Sequence, residues 1–189
     1  MIQEVIITTQ NSEGITHIAP MGVHVNPNEL IILPFKPSTT LENILNTRSA
    51  VINYCDDVRI FAGCLTGRRH WPCQQAERII GSVLQNSLAH AELALIRIEE
   101  DEIRPKLFCQ IVHSVNHAPF KGFNRAQYSV LEAAILISRL NHLPLEKIQS
   151  ELAYLQIGIE KTAGPHELEA WGWLMEAFEQ HFTQQHPHE

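Results

Sequence analysis

Near Phe120 the hydrophobic pattern of the chain changes period, and that change limits the folds open to it. Before it, apolar residues mostly alternate with polar ones; after it they recur every three or four residues. Alternation puts every second side chain on one face of a strand, whereas the longer spacing draws an apolar stripe along a helix. "AELALIRIEEDEIRPKLFCQIVHSVN" alternates on both arms around the charged turn "EEDE" and reads as a hairpin. "EVIITTQ", "ITHIAPMGVHV" and "LIILPF" are separated by the turn stretches "NSEG" and "NPNE", so Glu4 to Phe35 is expected to form a three-strand meander. "SAVINY" is a further strand, and "VRIFAGCL" reads as its continuation. Ala76, Ile79, Ile80 and Val83 in "CQQAERIIGSVLQNS" have helical spacing. Six or more strands joined mainly by short turns favour an antiparallel barrel over a parallel sheet.

Beyond Phe120 three amphipathic helices are expected. The first opens at Asn124 as N-cap, with Val130, Ala134, Ile137 and Leu140 along one stripe. The second starts at Pro144 and carries Leu145, Ile148, Leu152 and Leu155. The third starts at Pro165 after Gly164, which reads as a left-handed residue ending the second helix. Its stripe, Leu168, Trp171, Leu174, Phe178 and Phe182, is core or subunit interface before it is a docking face for another protein. The expected division is a barrel domain at 1–120 and a helical subdomain at 121–185 packed on it.

The 189 residues are 44% hydrophobic and 19% charged, enough for a real core. A net charge of −7, spread along the chain, supplies no basic face for nucleic acid. Neither a signal-peptide pattern nor an apolar run of membrane-spanning length is present, so no membrane is expected and the cytoplasm is the expected compartment. Cys55, Cys64, Cys73 and Cys109 contain no C-x-x-C pair and read as reduced, mostly buried thiols. His70 and Cys73 make a lone H-x-x-C without a second ligand pair, and His186 and His188 sit in a polar tail. No metal is expected from these spacings.

Nucleophile and phosphate motifs are missing: there is no G-x-S-x-G, Walker loop, G-x-G-x-x-G or H-E-x-x-H. Asp56 and Asp57 follow a strand and read as a turn or helix start. His24 and His113 are candidates for a proton donor only because imidazole in general titrates near neutral pH; a strand histidine is more often just hydrogen-bonded, and no residue is assigned as catalytic. Any difficult chemistry would have to come from a cofactor.

Two stretches suit anions. "FKPSTTLENILNT" places Ser38, Thr39 and Thr40 where the chain turns helical. Thr39 with Glu42 has capping-box spacing, and the same helix start, with Lys36 nearby, could hold a phosphate. In "KGFNRAQ", Lys121 and Arg125 flank the helix start at Asn124; they are ligands for an anion, or surface charges, with Glu132 a possible partner for Arg125. Pro20 has no N–H for a ladder and marks an edge or a bulge, and with Gly22 it makes "APMG" look like an interrupted strand.

The phrases "HIAPMGV", "PFKPSTTLENI", "AVINYCDDVRIFA", "PFKGFNRAQYSVLEAAILISRL" and "EKTAGPHE", in that order, resemble the domain of unknown function 447 family. That family lies within the FMN-binding split-barrel superfamily of flavin reductases and pyridoxamine-phosphate-oxidase-like proteins. The resemblance covers nearly the whole chain. It implies a mainly β fold with α, an FMN-binding split β-barrel plus a C-terminal helical cap, with FMN at a homodimer interface. Carried over, Ser38, Thr39 and Thr40 would hold the phosphate, and the backbone of Pro20, Met21 and Gly22 would lie along the isoalloxazine ring. Asn53 would reach the flavin's polar edge or ribityl chain. If "KGFNRAQ" is a ligand site, Lys121, Asn124 and Arg125 would complete the FMN phosphate pocket or bind a second, anionic substrate. The implied activity is an oxidoreductase moving hydride or electrons between a reduced nicotinamide or deazaflavin and a small-molecule redox substrate. The alternative is a non-catalytic flavin-binding or accessory protein, conceivably beside tetrahydromethanopterin-linked one-carbon metabolism.

Overall fold

The alternating half of the chain closes on itself. In the computed structural model, which describes residues 1–27 and 29–185, six strands form a closed barrel in the order β1-β2-β3-β8-β7-β4. Asn28 in the second expected turn, and His186 and His188, lie outside the described residues. The elements are β1 (Ile2–Gln10), β2 (Thr16–Val25), β3 (Leu30–Ile32), α1 (Thr39–Thr47), β4 (Ser49–Tyr54), α2 (Arg59–Leu65), β5 (Cys73–Gln75), β6 (Ser82–Leu84), β7 (Ala89–Glu99), β8 (Lys106–Asn116), α3 (Arg125–Ile137), α4 (Leu145–Thr162) and α5 (Pro165–Gln185). They divide into two compact units: 1–56 with 70–120, and 57–69 with the chain from Lys121 onward. No helix among the described residues is long and apolar enough to cross a membrane.

Every neighbouring pair in the barrel is antiparallel, so the period of two decides what faces inward. Val5, Ile7, Val23, Ile52, Leu93, Leu95 and Leu107 fill the interior together with Leu41 and Ile44 of α1. The strand β2 runs without interruption from Thr16 to Val25, in continuous register with β1. Its other side pairs with β3 only from Val23 to Val25. Pro20 therefore sits on an unpaired edge, where its missing N–H costs nothing, and there is no bulge.

Two elements differ from the sequence reading. Residues 73–84 are the hairpin β5–β6 and not a helix. Ala76, Ile79 and Val83 pack on Val51 from the two arms and the turn, while Ile80 stays 61% exposed. Spacing of three and four over so short a window does not separate a helix from a tight hairpin. The "VRIFAGCL" segment is the helix α2 and not a strand. Ile60 to Cys64 are all buried, so no polar face was left to reveal a period. Asp57 precedes the helix, whose N-cap is Val58; its carboxylate accepts the Arg59 backbone N–H at 3.1 Å and the guanidinium at 2.7 Å.

In the helical unit, Val58 and Ala62 join Val130, Ala133 and Ile137 of α3, Ile148, Leu152 and Leu155 of α4, and Trp171 and Leu174 of α5 in one apolar core. At Gly158 a side chain would overlap the Ser129 hydroxyl and come within 3.2 Å of the Arg125 carbonyl oxygen, so α3 and α4 approach closely because that position is bare. Gly164 is not left-handed as expected. Ala163 ends α4 in extended conformation, and the Gly164 N–H donates to Glu167 at 2.9 Å, capping α5 with Pro165 as its first residue.

Candidate functional site

The barrel unit carries two polar features. The first is the start of α1, a helix that packs on β1, β2 and β4. Its N-cap is Ser38, extended in backbone, whose hydroxyl accepts from the Leu41 N–H at 3.3 Å. The expected box between Thr39 and Glu42 does not form, because the helix begins one residue earlier and Thr39 already lies within it. Among the described residues nothing accepts from the N–H groups of Thr39 and Thr40, and neither hydroxyl is bonded. Unsatisfied N–H groups in a first turn, with the positive end of the helix dipole behind them, are suited to an anion. Lys36 stands nearby in sequence but pairs with Glu100 at 3.2 Å on the surface. On the same unit, Pro20 to Gly22 lie where β2 does not pair with β3, with Met21 half-buried against the barrel core. A Cβ at Gly22 would come to 3.0 Å from Ile2 and 3.2 Å from Glu4, so this edge position is kept bare by its own neighbours on β1.

Asn53 has a different task. It is fully buried; its amide N–H groups donate to the Ile6 carbonyl and the Thr8 hydroxyl at 3.2 and 3.0 Å, and its carbonyl accepts from the Leu84 N–H at 2.8 Å. It fastens β4, β1 and β6 to one another. Ser82 continues this layer, bonded to Gln10 and Thr16 at 2.7 Å each and to Thr8. In the helical unit, Asn124 is spent on structure too: its side chain caps α3 through Ala126 N–H at 2.7 Å and donates to the Thr162 carbonyl. Arg125 is exposed, and neither it nor Lys121 forms an ion pair among the described residues, with Glu132 or any other acid. The structure thus brings Pro20–Gly22, Ser38–Thr40 and Asn53 into one unit, and places Asn124 and Arg125 in the other.

The second polar feature lies on the outer face of β7 and β8. His90 and Glu92 are two residues apart on one strand and share a face, and Glu92 pairs directly with His113 across the ladder. The register then slips between Glu92 and Leu93, a bulge of the kind that re-aims side chains. Both carboxylate oxygens of Glu92, which has no exposed surface, accept backbone N–H groups, from Glu77 and from Arg78, at 2.7 Å each. Burial alone would push this carboxyl up, but those two N–H groups, His90 and His113 more than offset it and hold it below its ordinary value. Burial draws His90 below the usual imidazole range, outweighing the carboxylate beside it. Nδ1 of His90 meets Nε2 of His117 at 2.8 Å. Nothing in the sequence reading joined these residues. The legible signal was an H-x-E on one arm of the expected hairpin, with His113 facing it once the turn at "EEDE" fixes the register.

Family models for DUF447, a protein family of unknown function, match this chain over residues 3–118, by the N-terminal domain, and 124–176. Among solved structures it is similar to an FMN-bound DUF447 protein of Methanosarcina mazei, with a TM-score of 0.81 and 20% identity over 93% of this chain and 94% of that one. A protein of Shewanella frigidimarina described as a flavin reductase with a split barrel domain aligns with a TM-score of 0.54 and 16% identity, over 67% of this chain and 75% of its own. The 2-nitrobenzoate 2-nitroreductase of Pseudomonas fluorescens aligns with a TM-score of 0.52 and 20% identity, over 60% and 64%. No curated protein matches significantly in sequence. The split-barrel fold expected from the sequence is the fold observed.

Proposed function

The chain belongs to the DUF447 family, and from that premise we propose that it is an FMN-binding flavoprotein that transfers electrons or hydride. The observation that carries the reading is the open first turn of α1, where two unbonded backbone N–H groups and the hydroxyls of Thr39 and Thr40 face no acceptor of the chain's own. These groups would take the FMN phosphate, and the bare edge of β2 at Pro20, Met21 and Gly22 would lie along the ring system. Bound FMN would supply the redox chemistry, accepting and releasing electrons one or two at a time. The chain's own part would be to fix the phosphate, to present the backbone of an unpaired strand edge to a flat ligand, and to hold β1, β4 and β6 together through Asn53. The likeness to an FMN-bound DUF447 protein supports this, and the nitroreductase and flavin-reductase neighbours favour redox use. We place the protein in the cytoplasm as a homodimer, with Arg125 and Lys121 available to an anionic substrate.

The test is an absorbance scan of purified protein before and after loading with FMN and desalting. Flavin bands should survive the column, and Thr39→Ala/Thr40→Ala should lose them while keeping its fold. Bleaching of the bands by NADH or NADPH would support the oxidoreductase half, and retention without bleaching would leave a flavin carrier. A chain that never retains FMN refutes the proposal.

A further inference from the structure

On the outer face of β7 and β8, the Nε2 atoms of His90 and His113 are buried and make no well-formed hydrogen bond; each faces only a carboxylate oxygen, of Glu92 at 3.5 Å and of Glu77 at 3.4 Å. The His90 side chain is only 2% exposed. Buried polar atoms almost always find a partner, and a network left half-satisfied costs stability; an ion that the side chains are shaped to hold is one standard explanation. These atoms are not scattered. One ligand atom each from His90, Glu92 and His113 lies within 4.8 Å of the others. No lysine or arginine side chain pairs with the Glu92 carboxylate among the described residues, although it lies wholly inside the protein.

We propose that His90, Glu92 and His113 form a site for a divalent transition ion of the zinc class, with the exposed Glu77 as the fourth, exchangeable ligand. This inference is independent of the flavin reading. A tetrahedral ion with bonds of about 2.0–2.1 Å holds its ligand atoms roughly 3.3 Å apart. His90 Nε2 and Glu92 Oε1 are 3.5 Å apart, and His113 Nε2 and Glu77 Oε2 are 3.4 Å apart, so two edges of such a tetrahedron are already at the right length. The widest separation in the trio has to close by roughly 1.5 Å at most. Each Glu92 oxygen gives one lone pair to a backbone N–H and keeps another.

The surroundings are those of a ligand set. For Nε2 of His90 to offer a lone pair, its proton must sit on Nδ1, and Nδ1 meets His117 Nε2 at 2.8 Å. A second group that fixes the tautomer of a ligating imidazole is the usual support of such sites. Two imidazoles and a carboxylate suit zinc, cobalt, nickel or ferrous iron; calcium and magnesium prefer oxygen alone. Glu77, with 63% of its side chain exposed, leaves the site open on one side, so an ion can enter and one position stays exchangeable.

The test uses the full chain stripped with a chelator and titrated with cobalt(II), then with zinc(II). One cobalt per chain should bind and give the intense visible bands of a four-coordinate nitrogen–oxygen site, which zinc should abolish. His113→Ala should lower the affinity at least about 100-fold, and His117→Ala about 10- to 100-fold. His70→Ala should change nothing. If His113→Ala does not fold, Glu77→Gln on the surface gives a milder version of the same loss. Binding that is weak, exceeds one ion per chain, and is the same in wild type and His113→Ala would overturn the proposal, as would no binding at all.

Discussion

Replacing Asn53 by Ala separates a residue that builds the scaffold from one that reads a ligand. In the structure the amide makes three bonds, to Ile6, Thr8 and Leu84, at 2.8–3.2 Å and without solvent access. Losing two donor bonds costs about 0.5–1.5 kcal/mol each, and stranding the Leu84 N–H costs about 1–3 kcal/mol. Thr8 keeps its bond to Ser82 and limits the damage. The total is about 3 kcal/mol. For a chain of this length that lowers the melting temperature by roughly 6–12 °C, at about 2–4 °C per kcal/mol. Asn53→Asp should be worse than Asn53→Ala. It keeps the acceptor for Leu84 but turns two donors into acceptors, and it puts a carboxyl where no cation is available. The assay is thermal unfolding followed by circular dichroism, with and without FMN; the deficit should be the same size in both. An Asn53→Ala protein that melts within about 1 °C of wild type but no longer retains FMN would refute this reasoning and return Asn53 to the ligand.

Gly158→Val should destabilise the helical unit by about 1–3 kcal/mol, seen as a lower urea midpoint, because its branches enter the space of Ser129 and the Arg125 carbonyl. Gly158→Ala alone should also destabilise, and adding Ser129→Ala to it should recover most of that loss; no recovery would mean that the contact is not what sets the spacing. Burial pushes the Cys64 thiol up to about 11 and Cys109 to about 12. Unfolded thiols ionise near pH 9 while these two keep their protons, so the unfolded state binds fewer protons and stability should fall as pH rises from 9 toward 12. Urea midpoints at successive pH values should show that slope, and Cys64→Ala/Cys109→Ala should flatten it; an unchanged slope in the variant would show that the thiols are not its source.

What the sequence made legible follows from locality. The hairpin β7–β8, the meander and the three C-terminal helices announce themselves because each carries its period over many residues beside water, which keeps one face polar. The segment at 58–65 failed for the opposite reason: a short helix buried on all sides shows an apolar run with no period. The hairpin at 73–84 failed because its apolar residues meet over Val51, a residue from another strand. Ser38 displaced Thr39 as cap because three adjacent hydroxyls all satisfy the local pattern, and only the backbone decides among them. The loop and the strand edge at Pro20 were visible as contiguous words. The cluster of His90, Glu92 and His113 was not, since its members become neighbours only through the register of two paired strands.

The helical unit takes its first helix, α2, from between two strands of the other unit and the rest from beyond Lys121. On the ribosome, α2 therefore emerges with Val58 and Ala62 uncovered and has to wait until the whole of β7, β8 and α3 has been made before it meets its partners. A chain cut at the junction of the two family models would leave that apolar surface permanently bare. The line between the two family models and the line between the two compact units are thus different, because residues 57–69 fall on opposite sides of them.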